Sequence, residues 1–265
     1  MEKLSVRGIK MAYDDVGSGP PVVLLHGYPF NRSMWREQRD ALAAGYRVIT
    51  PDLRGHGATP ATTDSATMDE MAEDTAALLD ELRIKRVVMG GLSMGGYVAL
   101  AFCRCFGLRV RALILADTRP QADTDEVRRN REQQAEKIQR DGMQAIADDF
   151  LGKVLTPATL AEKPEVVARV REMIVRTDPK GAVNALRGMA ARRDQTDFLP
   201  EIIAPTLIIV GSEDRLTPPA DAEQMHHEIR GSRLEIIEGA SHLSNLERPA
   251  ELNRALKSFL DELGP

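Results

Sequence analysis

The 265 residues carry 35 Lys and Arg against 40 Asp and Glu, a formal net charge of -5, with 43% hydrophobic residues. That composition supplies a core but no basic footprint for nucleic acid, and no cluster of Lys or Arg beside an apolar face points to a membrane surface. The length suits one large α/β domain with an insertion, the segment 1–7 has no apolar run, and no stretch approaches a membrane span, so a cytoplasmic protein is expected.

Residues 4–7 and 9–13 alternate around Gly8 and predict an edge hairpin, ended by Gly17-Ser18-Gly19-Pro20. The continuous apolar run 21–25 suits a strand buried on both faces of a parallel sheet, and it leads directly into His26-Gly27-Tyr28-Pro29-Phe30. Ser33 is placed to cap a helix over 34–43, Gly45 stops it, and 47–50 gives the next strand, with Asp52-Leu53-Arg54-Gly55-His56-Gly57 beyond. A helix over 67–82 carries Met71, Leu78, Leu79 and Leu82 at helical spacing.

The apolar run Val87-Val88-Met89 then enters Gly90-Gly91-Leu92-Ser93-Met94-Gly95-Gly96, and a helical run leaves it. Gly91 and Gly95 flank Ser93 at minus two and plus two, as needed where strand and helix meet too closely for a Cβ. Ser93 is thereby forced into a strained backbone conformation at the strand's carboxyl end, above the positive end of the following helix. Cys103 and Cys105, on that helix, point to opposite faces and cannot bridge each other; they read as buried packing thiols. A strand over 112–116 follows.

Past Asp117 the pattern changes. Residues 120–200 are charged, lack buried strand runs, and are interrupted near Gly142, Pro157, Pro164, Pro179 and Pro200, which predicts several short helices. A strand over 206–210 resumes after Pro205, so 1–119 and 201–265 are read as one α/β core and 120–200 as a helical cap over the sheet's carboxyl edge. A helix over 218–229, a strand over 234–237 and a helix over 249–263 complete the core.

Ligands bind at the carboxyl ends of strands in open α/β folds, and the informative residues lie on those loops. A serine hydroxyl becomes a nucleophile at neutral pH only beside a base. His242, after the final strand, is the candidate. The imidazole needs a carboxylate to fix its tautomer; Asp214, directly after strand 206–210, is preferred over its neighbour Glu213 and over Asp117, whose other role would be to cap the start of the insertion. The oxyanion of an acyl-transfer intermediate needs two preset donors, assigned to the backbone N–H groups of Met94 and Tyr28. His26 and His56 are read as structural loop histidines, and the adjacent His226 and His227 as surface residues. No histidine or cysteine spacing suits a metal. Met34, Met143, Met173 and Met189 could furnish flexible pocket lining, although ordinary core is the more expected place for any one of them.

Together, His26-Gly27, the 52–57 loop, Gly91-x-Ser93-x-Gly95, the Gly211-to-Asp214 loop and Ser241-His242 resemble the serine α/β-hydrolase superfamily over nearly the whole chain. The resemblance implies a mostly parallel sheet, a Ser93-Asp214-His242 triad, no cofactor and a small-molecule ester substrate, most like small bacterial carboxylesterases and their lactonase and perhydrolase relatives. Ser93 stands where dehalogenases and epoxide hydrolases of this fold carry aspartate, which disfavours those activities. Pro29 resembles the loop of cofactor-free perhydrolases: it would redirect the Tyr28 carbonyl, which could then accept a hydrogen bond from peroxide. A receptor-like, non-catalytic member of the fold is the alternative from another class; the complete set Ser93, Asp214 and His242 argues against it.

Overall fold

The structure, a computed structural model, describes residues 1–62 and 66–264; residues 63–65 and 265, which the core assignment also takes in, lie outside the described residues. The sheet comprises β1 (Glu2–Val6), β2 (Ile9–Val16), β3 (Pro21–Leu25), β4 (Arg47–Pro51), β5 (Val87–Leu92), β6 (Val110–Ala116), β7 (Thr206–Gly211) and β8 (Arg233–Ile237), in the order β1-β2-β4-β3-β5-β6-β7-β8. β1 and β2 form the antiparallel edge, and β2 meets β4 antiparallel. From β4 through β3 to β8 every pairing is parallel. The uninterrupted apolar strands occupy the centre because both of their faces are covered: Val22 to Leu25 and Leu113 to Leu115 are essentially without exposed surface.

Among the described residues, α1 (Arg36–Leu42), α2 (Met68–Glu81) and α3 (Met94–Phe106) precede the insertion. Between β6 and β7 come α4 (Asp125–Asp141), α5 (Gln144–Val154), α6 (Pro157–Glu162), α7 (Pro164–Val175) and α8 (Pro179–Ala190), and the chain ends with α9 (Pro219–Glu228), α10 (Ser244–Glu247) and α11 (Pro249–Glu262). No helix among the described residues is long and apolar enough to cross a membrane.

α3 buries Val98, Ala99, Leu100, Ala101 and Phe102 completely, between the sheet on one side and α2 on another, each large side chain contributing roughly 1.5–3 kcal/mol. α2 starts on a capping box, with the Thr67 side chain taking the Glu70 N–H and the Glu70 carboxylate taking the Thr67 N–H. The prolines that interrupt the periodicity in the insertion open helices: Pro157, Pro164 and Pro179 each sit in the first turn, where the missing N–H would have had no intrahelical acceptor.

Two local expectations are corrected. The helix expected over 34–43 begins as a 3-10 turn, Arg32–Trp35, capped by Asn31, whose side chain accepts the Ser33 N–H; Ser33 is therefore inside the turn and not its cap. Cys103 is buried but Cys105 is exposed, because the last turn of α3 runs out of the core; both thiols are free.

α8 is held by backbone contact. A Cβ on Gly181 would stand 1.8 Å from the Gly55 carbonyl oxygen, and one on Gly188, two turns later, 1.9 Å from the Ala66 carbonyl oxygen. Both positions therefore require glycine for close approach.

Candidate active site

β5 delivers Ser93 into the turn before α3 with φ 54° and ψ -114°. For a residue with a Cβ this region costs on the order of 1–3 kcal/mol, offset by the surrounding bonds: the Ser93 N–H donates to the Ala116 carbonyl at 3.0 Å and the Thr118 hydroxyl donates to the Ser93 carbonyl at 2.9 Å. The flanking glycines leave no alternative path. A Cβ on Gly91 would lie 2.1 Å from the Gly95 carbonyl oxygen, and one on Gly95 would lie 2.2 Å from that of Leu25.

The loop after β8 brings His242 over this turn. Its Nε2 lies 2.8 Å from the Ser93 Oγ, and its Nδ1 lies 2.8 Å from the Asp214 Oδ2. In the resting state the serine hydroxyl donates to Nε2 and Nδ1–H donates to the carboxylate. Asp214 is fixed from the other side by the Thr217 hydroxyl at 2.7 Å and by the N–H groups of Leu216 and Thr217 at 2.8 and 3.1 Å. Burial alone would lift the Asp214 pKa, but the adjacent imidazole and these donors hold it below the ordinary carboxylate value. For His242 burial acts downward, and the Asp214 charge and hydrogen bond outweigh it, leaving the imidazole pKa raised.

Asp117 does not play the part expected of it. It has a positive φ of 44° and lies fully buried. Its Oδ1 accepts the Gly211 N–H at 2.9 Å and its Oδ2 lies 2.5 Å from the Ser244 hydroxyl, so it ties the β7 loop to α10 rather than capping the insertion. Burial first, then the charge of Asp214, pushes its pKa up to about 8.

Among the described residues, neither the Met94 nor the Tyr28 N–H donates to a backbone acceptor outside helices and strands. Met94 is the first residue of α3, where an unpaired N–H is expected. The Tyr28 loop is shaped by the Phe30 N–H donating to the Gly27 carbonyl at 2.9 Å and contains a cis Tyr28–Pro29 peptide. His26 is structural in geometry: its Nε2 accepts the Leu53 N–H and its Nδ1 donates to the Gly27 carbonyl, both at 2.9 Å, and burial lowers its pKa to about 4. His56 is also fully buried, and burial lowers its pKa to about 3. His226 and His227 are exposed, as expected of surface residues, and no metal-ligating cluster occurs among the described residues.

Ser93 and His242 open onto a cavity of about 570 Å³ whose walls include Tyr28, Tyr97, Arg131, Phe150 and Met189. Of the four methionines considered, only Met189 lines it; Met34, Met143 and Met173 are core, and the Met34 sulfur accepts the Gly27 N–H at 3.3 Å. The residues missed in the sequence are those that act through distant partners. Glu247 is fully buried and Arg131 reaches the cavity from α4; neither lies in a motif.

The fold and this strand-serine-helix turn define an α/β-hydrolase. A sequence model of the alpha/beta hydrolase fold family matches residues 20–249, and the chain belongs to that family. It is similar to a thermophilic esterase from Thermogutta terrifontis, solved with malate bound, at 39% identity and a TM-score of 0.98 with all of both chains covered. It is also similar to an enol-lactonase from Burkholderia xenovorans, at 31% identity and a TM-score of 0.93 over 98% of this chain and 100% of the other. A putative non-heme chloroperoxidase of Synechocystis sp. is 33% identical over 95% of each chain.

Proposed function

We propose that this protein hydrolyses carboxylic esters through an acyl-enzyme, with Ser93 as nucleophile, His242 as general base and acid, and Asp214 holding the imidazole. The observation that carries the reading is the unbroken Ser93 Oγ to His242 Nε2 to Asp214 Oδ2 chain, 2.8 Å at both contacts, opening onto a cavity of substrate size. Ser93 attacks the ester carbonyl as its proton passes to Nε2, and the oxyanion forms against the N–H groups of Met94 and Tyr28. Collapse expels the alcohol, which takes the proton from Nε2. Water then repeats the sequence on the acyl-enzyme and releases the acid. In the same reading residues 120–200 act as a cap whose walls choose the substrate.

The test is hydrolysis of short p-nitrophenyl esters, with labelling by a fluorophosphonate. Ser93→Ala, His242→Ala and Asp214→Asn should each lose about 10³–10⁴ or more in kcat. Full activity in Ser93→Ala would end the proposal. A lactone, an ester closed on itself, is the second reading, supported by the likeness to the Burkholderia enol-lactonase. A panel of linear esters and lactones of matched size separates the two by kcat/KM.

A further inference from the structure

Although the chain is acidic overall, its cavity is basic. Among the described residues the walls carry Arg119, Arg131, Lys137, Lys153 and Arg215 against the single carboxylate of Asp149, and that carboxylate is already 3.6 Å from Lys137. Deeper in, the buried carboxylate of Asp123 is shared by three guanidiniums: Arg131 at 2.5 Å, Arg192 at 2.6 Å and Arg119 at 3.7 Å. Arg192, further engaged by the Met189 and Gln121 carbonyls and lying 4.2 Å over the Tyr97 ring, keeps a buried Nε without a partner but does not line the cavity. Arg119 and Arg131 do line it. Arg119 has only Asp221, at 4.0 Å, besides Asp123, and its Nε is buried without a partner. The Nη1 of Arg131 finds only the Met189 thioether, at 3.6 Å, a weak acceptor. The Tyr28 hydroxyl, on the same wall, is buried and unpartnered too. Three donors, two of them on cations, thus belong to residues that line the Ser93 cavity and have no oxygen acceptor.

Buried donors of this kind are costly unless an acceptor completes them, and a carboxylate offers two oxygens in the geometry a guanidinium fork prefers. We infer that the substrate carries a carboxylate besides its ester, a half-ester of a dicarboxylic acid or its lactone equivalent, held by Arg131 and Arg119 with the Tyr28 hydroxyl. The inference rests on the ester-hydrolase reading and names the substrate class of that site.

The experiment compares monoethyl succinate with diethyl succinate, following alcohol release. Wild type should favour the monoanion by about tenfold or more in kcat/KM, chiefly through KM. In Arg119→Gln and Arg131→Gln the monoester-to-diester ratio should fall at least tenfold. Arg131→Gln leaves Asp123 short of a partner, so the double variant Asp123→Asn with Arg131→Gln serves as the folded control, with fluorophosphonate labelling as the measure of an intact site. Succinate itself should bind Ser93→Ala in calorimetry and should not bind when Arg131 is also replaced. A wild type that cleaves the diester as well as or better than the monoester overturns the inference and leaves the ester reading standing. A protein that cleaves neither ester and takes no label overturns the ester reading, while succinate binding still tests the anion site, and no binding at millimolar succinate removes it.

Discussion

Glu247 and Thr156, ninety-one residues apart in sequence, are joined by two bonds to one oxygen: the Glu247 Oε1 accepts both the Thr156 N–H and its hydroxyl at 2.8 Å. The other oxygen accepts the N–H of Ser241, the residue before His242, at 2.6 Å. The turn between α5 and α6 and the histidine loop therefore hang on one buried carboxylate. Glu247→Gln keeps an acceptor for Thr156 but sets an amide N–H against the Ser241 N–H. It should cost about 1–3 kcal/mol in urea unfolding and lower kcat more than it raises KM. Unchanged stability together with unchanged kcat would show that the tie contributes nothing.

The raised pKa of His242 gives a pH profile with a definite sign. In the proposed mechanism the base must be neutral to accept the Ser93 proton, so kcat/KM should rise with pH through an inflection above the ordinary histidine value, since the Asp214 charge holds the imidazolium. Asp214→Asn removes that charge and should move the inflection down, in addition to the loss of rate. A profile that stays in place in the variant would disconnect Asp214 from His242.

Asp117 should reveal itself in stability rather than rate. Its folded pKa, about 8, is raised above that of an unfolded aspartate. The folded state thus binds the extra proton between roughly pH 4 and pH 8, and stability from this group is full below that window and declines as pH rises through it. Asp117→Asn mimics the neutral form and should melt progressively above wild type as pH goes from 5 to 8.5, by a few degrees or more, about 2–4 °C for each kcal/mol. A constant difference in melting temperature across that range would contradict the assignment.

Two glycines in the insertion should respond to alanine with opposite signs. Gly181→Ala drives a methyl into the Gly55 backbone, which has no flexible atom to yield, and should destabilise by several kcal/mol. Gly152, in α5, has open space around its Cβ position, so Gly152→Ala should stabilise by about 0.5–1 kcal/mol through helix propensity alone. Thermal melts of the two variants beside wild type decide both.

What the sequence made legible was local. The turn around Ser93 could be recognised because its glycines answer to contacts within a few residues or with the adjacent strand, as Gly95 does with Leu25. Asp214 and His242 were readable because each follows directly on a strand that ends at the same edge. Asp117, on an equivalent loop, was misjudged because its bonds go to Gly211 and Ser244, positions set only when β6, β7 and α10 are assembled. Arg131 was invisible for a related reason, since charged residues in a charged helical segment look alike until burial separates them, and Arg119, in the loop between β6 and α4, lies in no motif. Asn31 and Ser33 are both capping types two residues apart, and only the side-chain bond from Asn31 to the Ser33 N–H distinguishes them.

The glycine seats of α8 carry a consequence for how such a pocket can diversify. Met189 follows Gly188 directly and faces the cavity, so its position is fixed by the same backbone contact that seats the helix on the core. α4 contains no glycine; it rests on α8 and α5 and supplies Arg131 among several residues of the cavity wall. A library that randomises the α4 wall while leaving Gly181 and Gly188 untouched should return folded proteins of altered selectivity, whereas one that includes those glycines should return mostly aggregates. On the proposed reading, the wall that selects the substrate is the one without glycine seats, and inheritance can rewrite it without renegotiating the fold.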